Sequence, residues 1–510
     1  MSEHIVIGGG GEDYATQQGL LLKYANRHGL VAGATGTGKT VTLQIMAEEF
    51  SRAGVPVFLS DVKGDLSGLA AAGSESFKLH DAFMKRVTTI GLDDFQYQSF
   101  PVVFWDLFGE KGHPIRTTVA EMGPLLLSRM LELSEVQEGV INIAFKVADE
   151  EGLPLLDLAD LRALLLWVGQ NAKDLSLRYG NVSTASIGAI QRSLLVLDNQ
   201  GGSQFFGEPA LALSDMMARA PDGRGNINIL AADRLMGSPR LYATFLLWLL
   251  SELFEELPEV GDPDRPKLVF FFDEAHLLFD DAPKPLVDKV EQVARLIRSK
   301  GVGVYFVTQN PTDVPDDILG QLGNRIQHAL RAFTARDRKS LRAAAGNYRS
   351  NARFSTEEAI RQVGVGEAVT SLLENKGIPG MVERTLIRPP SSQLGPLSDQ
   401  QRAAAVAGSP IAGKYETVVD RDSAFERLSA RAEAAAKQAE ELERKEAELA
   451  FDDRQFERAK RYERPRSGTR RSSKSDSFGS AVAQVVIKEL KGTTGRRIVR
   501  GLLGGLFKGR

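Results

Sequence analysis

Residues 33–40 read Gly-Ala-Thr-Gly-Thr-Gly-Lys-Thr, an order of residue types suited to holding a chain of phosphates. Three glycines let the backbone curl until its N–H groups point inward at phosphate oxygens. Lys39 can reach the β and γ phosphates, and the Thr40 hydroxyl is placed for Mg²⁺. A helix starting here adds the positive end of its dipole. The expected nucleotide-binding set is Gly33, Ala34, Thr35, Gly36, Thr37, Gly38, Lys39, Thr40 and Val41. Both flanks fit: Leu30, Val31 and Ala32 form a short apolar strand, and Leu43, Met46, Ala47 and Phe50 follow at helical spacing.

A second constellation is Lys-Leu-Val-Phe-Phe-Phe-Asp-Glu at 267–274. Five apolar residues in a row make a strand buried on both faces, and parallel sheets bind ligands at the C-terminal ends of such strands. Asp273 is then expected to hold Mg²⁺. Glu274 is the more informative residue, because hydrolysis needs a carboxylate to orient or deprotonate a water in line with the γ phosphate. Asp61 closes another strand within reach of the nucleotide. It is a candidate metal ligand or, alternatively, the cap of the turn that follows. Gln309, at the end of the strand Val304–Thr308, is the residue to sense γ phosphate. Arg298, near the end of a helix expected at Leu286–Lys300, could enter a neighbouring subunit's site, or could equally neutralise a helix C-terminus. Arg325 and Arg331 compete for the same role.

These residues need a frame, and residues 1 to about 390 alternate short apolar runs with amphipathic helices, which predicts an α/β fold with a mainly parallel sheet. Strands are expected at Leu30–Ala32, Val55–Leu59, Val102–Trp105, Ile227–Ala231, Leu268–Phe272, Val302–Val307 and Ile326–Leu330. An antiparallel hairpin, Glu367–Leu373 with Met381–Ile387, is expected at the sheet's edge. No strand is expected between Phe108 and Pro209, where four apolar runs predict an inserted helical subdomain. Residues 1–107 and 211–390 are thus two parts of one core around an insertion at 108–210. Pro389, Pro390 and the serines after them suggest a linker opening a 391–464 segment, in which Asp422–Arg464 has the makeup of one long solvated helix. A basic linker and amphipathic tail follow at 465–510.

The chain has 510 residues and no cysteine, so it can form neither disulfides nor thiolate metal sites, and its six histidines are scattered. A cytoplasmic location fits. The most apolar stretch, Leu241–Leu257, is broken by acids well short of a membrane span. From Arg464 onward 12 Lys and Arg face 2 Asp and Glu, a net charge of +10 that leaves −13 for residues 1–463. Such a tail suits nucleic acid or anionic lipid, or serves as a solubilising end.

As a set, Gly33 to Thr40, Asp61 with Lys63-Gly64-Asp65, Asp273-Glu274-Ala275-His276, Arg298-Ser299-Lys300-Gly301, Thr308-Gln309 and Gly323-Asn324-Arg325 resemble the HerA/FtsK superfamily of ring-forming motor ATPases, in particular the bacterial HerA-like proteins called YjgR. The resemblance, over roughly residues 10–430, implies a RecA-like P-loop NTPase core, ATP and Mg²⁺ as cofactors, a homo-hexamer, and double-stranded DNA as partner. It also implies roles: Lys39 and Thr40 on ATP and Mg²⁺, Asp273 on the metal, Glu274 on water, Gln309 on γ phosphate, Arg298 in trans. The N-terminal β-barrel with which archaeal HerA docks a nuclease has no counterpart in the roughly 25 residues before the loop strand, so a nuclease partner is not expected. The alternatives are a protein-translocating or secretion-type motor and a non-motor nucleotide switch tethered by its tail.

Overall fold

The structure, a computed structural model, describes residues 3–261, 263–279 and 284–462. Among these, twelve strands form one sheet: β1 (His4–Gly10), β2 (Thr16–Leu21), β3 (Gly29–Ala32), β4 (Val57–Asp61), β5 (Val102–Asp106), β6 (His113–Pro114), β7 (Ile227–Ala231), β8 (Leu268–Phe272), β9 (Val302–Thr308), β10 (Asn324–Gln327), β11 (Glu367–Ser371) and β12 (Glu383–Ile387). Their order is β2-β1-β12-β11-β10-β3-β9-β8-β4-β7-β5-β6. From β10 to β6 all neighbours run parallel, and from β10 to β2 all run antiparallel.

The apolar runs form strands because helices cover both faces of the sheet. Every residue of β3, β4, β7, β8 and β9 is buried. The helix Lys39–Arg52 lies on one face, with the Phe50 ring 6.3 Å from Phe271 of β8 and 6.0 Å from Tyr305 of β9. Aromatic contacts of this kind fix the helix, and with it the loop ahead of it, relative to β8 and β9. Between β6 and β7 run the helices Val119–Met130, Glu135–Glu151, Leu158–Gln170, Ala172–Tyr179 and Thr184–Asn199. Capping boxes start the first and third: Thr118 with Glu121, and Asp157 with Asp160.

Four expectations are corrected. The hairpin β11–β12 is not at the edge, because β1 pairs with β12 and β2 with β1. Strands β1 and β2 escape a propensity reading because β1 ends in a glycine run, normally unfavourable in a strand. Here the run is a packing requirement: a Cβ on Gly8 would sit 2.1 Å from the Leu386 carbonyl oxygen, and one on Gly9 would sit 1.9 Å from that of Tyr14. The two-residue β6 falls in the interval expected to lack strands, and β10 ends at Gln327 rather than Leu330.

The fourth correction is the Pro389-Pro390 segment, which is part of the core and not a linker. Arg388, Ser391 and Ser392 are buried, and the wholly buried Glu48 of the helix Lys39–Arg52 accepts hydrogen bonds from Ser391 N at 2.9 Å and from Ser392 N at 2.9 Å. Arg388 donates to Glu49 at 2.8 Å. The chain then crosses to the other side of the sheet, where Tyr415 is buried against Trp105 with ring centres 5.3 Å apart. Arg421 grips Glu208 with two hydrogen bonds of 2.5 and 2.7 Å. The compact unit therefore extends to Ala424, and a second begins at Phe425. The described part of the second is the long helix Ala424–Tyr462, on which Leu442, Leu449 and Phe451 are all exposed, as on a single solvated helix. The basic tail from Arg464 lies outside the described residues.

Candidate active site

Strand order sets the geometry of the site. Strand β9 lies between β3 and β8, so the loop after β3 and the acids after β8 are two strand spacings apart, about 10 Å, with Gln309 emerging between them. All three strands are parallel, and their C-terminal ends share one edge of the sheet.

The loop is fixed by backbone hydrogen bonds to its neighbours on both sides. Gly33 N donates to Thr308 O of β9 at 3.2 Å, Ala34 N to Ala329 O beyond β10 at 2.9 Å, and Gly366 N, just before β11, to Thr37 O at 3.0 Å. Two glycines are required. Gly38 has φ 114°, a region costly for other residues, and a Cβ on Gly33 would come within 2.5 Å of His328 Cβ. Gly38 is also the N-cap of the helix and supplies no side-chain cap, which leaves first-turn N–H groups for an anion.

Buried His328 braces this arrangement from beneath. Its Nδ1 lies 2.9 Å from Glu367 O, which only accepts, so Nδ1 carries the proton; Nε2, 2.9 Å from Thr42 Oγ1, accepts the hydroxyl hydrogen. That pattern needs a neutral ring. Burial, with smaller help from the charge of Lys39, lowers its pKa to about 4.

Lys39 is 8 % exposed, and its Nζ donates to Gly33 O at 2.6 Å. Burial lowers its pKa, opposed by the charges of Glu274 and Asp273, which places all three groups in one electrostatic field. Asp273 is held by its Oδ1 accepting from Glu274 N at 2.9 Å, while Ser60 Oγ, itself bound by the buried Tyr242 hydroxyl at 2.7 Å, accepts from Asp273 N at 3.3 Å. Burial first, then the Glu274 charge, raises the Asp273 pKa to about 7. A carboxylate so poorly compensated suits a divalent cation. No group of three or more His, Asp or Glu among the described residues could hold a metal by itself. Mg²⁺ at Asp273 and Thr40 would complete its shell with phosphate and water, its usual preference.

Glu274 adopts φ 48°, ψ 50°, left-handed for a non-glycine residue. Such strain costs roughly 1–3 kcal/mol and persists where the surroundings impose it. The surroundings here include Lys63, which belongs to the motif set but to which the sequence assigns no role. Lys63 Nζ donates to Glu274 Oε1 at 2.8 Å, while Gln309 Nε2 lies 3.5 Å from Oε2 and His276 Nδ1 3.5 Å from the same oxygen. Burial acts to raise the Glu274 pKa, but Lys63, aided by Gln309 and His276, prevails and holds it below the usual value. Only strand order could reveal this pairing, since β4 and β8 are adjacent in space but distant in sequence. Lys63→Met is expected to shift the acid limb of a pH–rate profile to higher pH, because Glu274 would then bind its proton more tightly. Lys63→Arg should restore much of that shift. An unmoved profile would show that Lys63 does not act on Glu274.

The other candidates separate. Both Asp61 oxygens cap the turn after β4, accepting from Gly64 N at 2.7 Å and Leu66 N at 3.1 Å. Burial, then Asp65, raises its pKa to about 6. The geometry thus favours the turn cap over the expected metal contact, although its charge still reaches Asp273. Arg325 donates to three carbonyl oxygens, of Leu322, Asn347 and Leu319, at 3.0, 3.2 and 2.8 Å, so its guanidinium is a structural clamp and not a finger. Arg298 follows the helix Lys284–Ile297 and precedes β9. It is therefore a whole strand, about 20 Å, from Gln309 and the loop edge. Arg331 is exposed just beyond β10.

A family model described as "Helicase HerA-like C-terminal" matches residues 9–510. No curated protein matches the chain at a significant level. Among solved structures, plasmid coupling protein TrwB in complex with a non-hydrolysable ATP analogue is similar at 15 % identity and TM-score 0.50, over 78 % of this chain and 92 % of that one. VirB4 of Thermoanaerobacter pseudethanolicus is similar at 12 % identity and TM-score 0.48, over 76 % and 96 %. The fold is the RecA-like P-loop core that the family resemblance implies.

Proposed function

The chain belongs to the helicase HerA-like C-terminal family, and on that premise we propose that it is a ring-forming, Mg²⁺-dependent ATPase that couples hydrolysis to translocation on, or remodelling of, double-stranded DNA. The observation that carries this is Glu274: a strained, buried carboxylate one residue beyond the metal-type Asp273, held by Lys63 and Gln309 beside the loop lysine. A nucleotide switch without turnover has no use for a water-activating acid. In this reading Lys39 and the loop N–H groups bind the β and γ phosphates. Mg²⁺, when bound, neutralises phosphate charge. Glu274 takes a proton from water, the water oxygen bonds to the γ phosphorus, and the bond to the β-phosphate oxygen breaks, with ADP leaving. Gln309 contacts the γ phosphate and reports its loss to Glu274. Arg298, too far from its own loop, serves a neighbouring subunit.

Steady-state ATPase with and without duplex DNA across a salt series, beside a mass measurement, tests the proposal. A mass of six chains and a stimulation that fades with salt are expected. Turnover indifferent to DNA at every ionic strength would move the assignment to a protein motor.

A further inference from the structure

Residues 331–349, directly after β10, hold six Lys and Arg against one Asp, a net charge of +5 within a 1–463 body of −13. The helix Ala335–Gly346 organises them. Thr334 caps it by accepting from Asp337 N at 3.1 Å, and Asp337 returns the bond to Thr334 N at 2.8 Å, so the segment's one acid works inside its capping box. Leu341 and Ala344 are buried in a small apolar cluster with Leu330, Ile360 and Val363, which fixes the rotation of the helix. The rest of the helix surface is thereby set outward, and Arg338, Lys339 and Arg342 on it are all exposed, as is Arg331 before it. Arg342 has Glu357 at 3.9 Å, with both side chains largely in solvent, a pair worth little. Between Arg331 and the helix, Phe333 is 80 % exposed.

Neither feature helps the fold. Like charges about one helical turn apart repel, and an outward phenylalanine forgoes burial. A partner with a regular row of negative charge and flat apolar faces answers both, and nucleic acid is that partner: phosphates for the cations, a base or sugar face for the ring. We propose that Arg331, Phe333, Arg338, Lys339 and Arg342 form a nucleic-acid contact surface, with Phe333 lying against an accessible base of the bound strand.

Position gives the surface a further role. The strand that leads to it passes the phosphate loop: His328 N donates to Ala32 O at 2.7 Å, and Ala34 N donates to Ala329 O at 2.9 Å, two residues before Arg331. The surface is thus tied by backbone hydrogen bonds to the segment that carries the phosphate loop. This inference rests on the motor reading and supplies the surface on which the motor pulls.

The test is fluorescence anisotropy of the full chain with a labelled single strand and a duplex of roughly 30 nucleotides, longer than one stacking-platform site, from about 50 to 200 mM salt. The variants are Arg338→Gln/Lys339→Gln/Arg342→Gln and Phe333→Ser, all at solvent-facing positions. The triple variant is expected to bind at least about tenfold more weakly and to flatten the salt slope by about 2, as loss of two to three phosphate contacts requires. Its thermal midpoint should not fall, and its nucleic-acid-free ATPase should be unchanged. Phe333→Ser is expected to weaken the single strand more than the duplex. If wild type binds and the triple variant keeps its affinity and slope, the surface is wrong while the motor reading stands. If wild type hydrolyses ATP yet binds neither strand, both the surface and DNA as the motor's track are wrong. If Phe333→Ser binds both strands as wild type does, the ring does not contact a base.

Discussion

Glu274→Gln is expected to lower the rate of phosphate release by about 10²–10⁴-fold, the range associated with one general base, while ATP binding changes no more than a few-fold. The substitution keeps shape and one acceptor oxygen, and glutamine fits the left-handed backbone as well as glutamate does. What it removes is the charge that draws a proton from water. Lys63 and Gln309 both lie within hydrogen-bonding reach of this carboxylate, so the surrounding cage persists and the loss falls on chemistry and not on folding. Rapid-quench turnover beside equilibrium binding of a fluorescent ATP analogue separates the two effects. Equal loss of binding and turnover would mean that Glu274 holds the site together instead of activating water.

Asp273→Asn is expected to abolish Mg²⁺-dependent turnover and, unusually for a core substitution, to stabilise the nucleotide-free protein. The Asp273 pKa, raised to about 7 by burial and Glu274, lies above its value in an unfolded chain, near 3.8. The unfolded chain therefore gives up its proton at lower pH than the folded one does. Stability from this group is complete below about pH 4, declines as pH rises, and is lost once pH passes about 7. At about 1.4 kcal/mol per pKa unit, the ionised carboxylate costs the folded state a few kcal/mol at pH 8. Asparagine can still accept from Glu274 N and carries no charge. The midpoint of thermal unfolding should rise by several degrees at pH 8, with the gain shrinking toward pH 4. A gain independent of pH would assign the effect to packing. This is the expected conflict between a site poised for a cation and the stability of its empty form.

The parts legible in the sequence have a common cause. The loop octet, the buried runs β3, β4, β7, β8 and β9, and the Asp273-Glu274 pair are local patterns, each readable within about ten residues of chain because burial or φ/ψ demands dictate residue type directly. The rest depends on which segments meet. Lys63 gives no local sign that it faces Glu274, and the pairing appears only once β4 is known to adjoin β8. Strand β1 was obscured because its glycines answer to the β12 backbone and the Tyr14 carbonyl rather than to its own propensity. Pro389-Pro390-Ser391-Ser392 has linker composition, and Glu48, whose side chain would otherwise be a buried uncompensated acid, draws it inward. Asp61 and Arg325 carried the right chemistry at suggestive positions, but backbone groups nearby occupy both.

In the proposed function, nucleoside triphosphate is cleaved where Lys39, Asp273 and Glu274 converge on one edge of the sheet. Release of labelled γ phosphate from ATP in a single turnover with Mg²⁺ tests it most directly, run on wild type, Lys39→Ala and Glu274→Gln. Wild type should release phosphate, Lys39→Ala should form no stable ATP complex, and Glu274→Gln should hold a bound but intact triphosphate. Release at the wild-type rate by Glu274→Gln, or none by wild type, would contradict the proposed function.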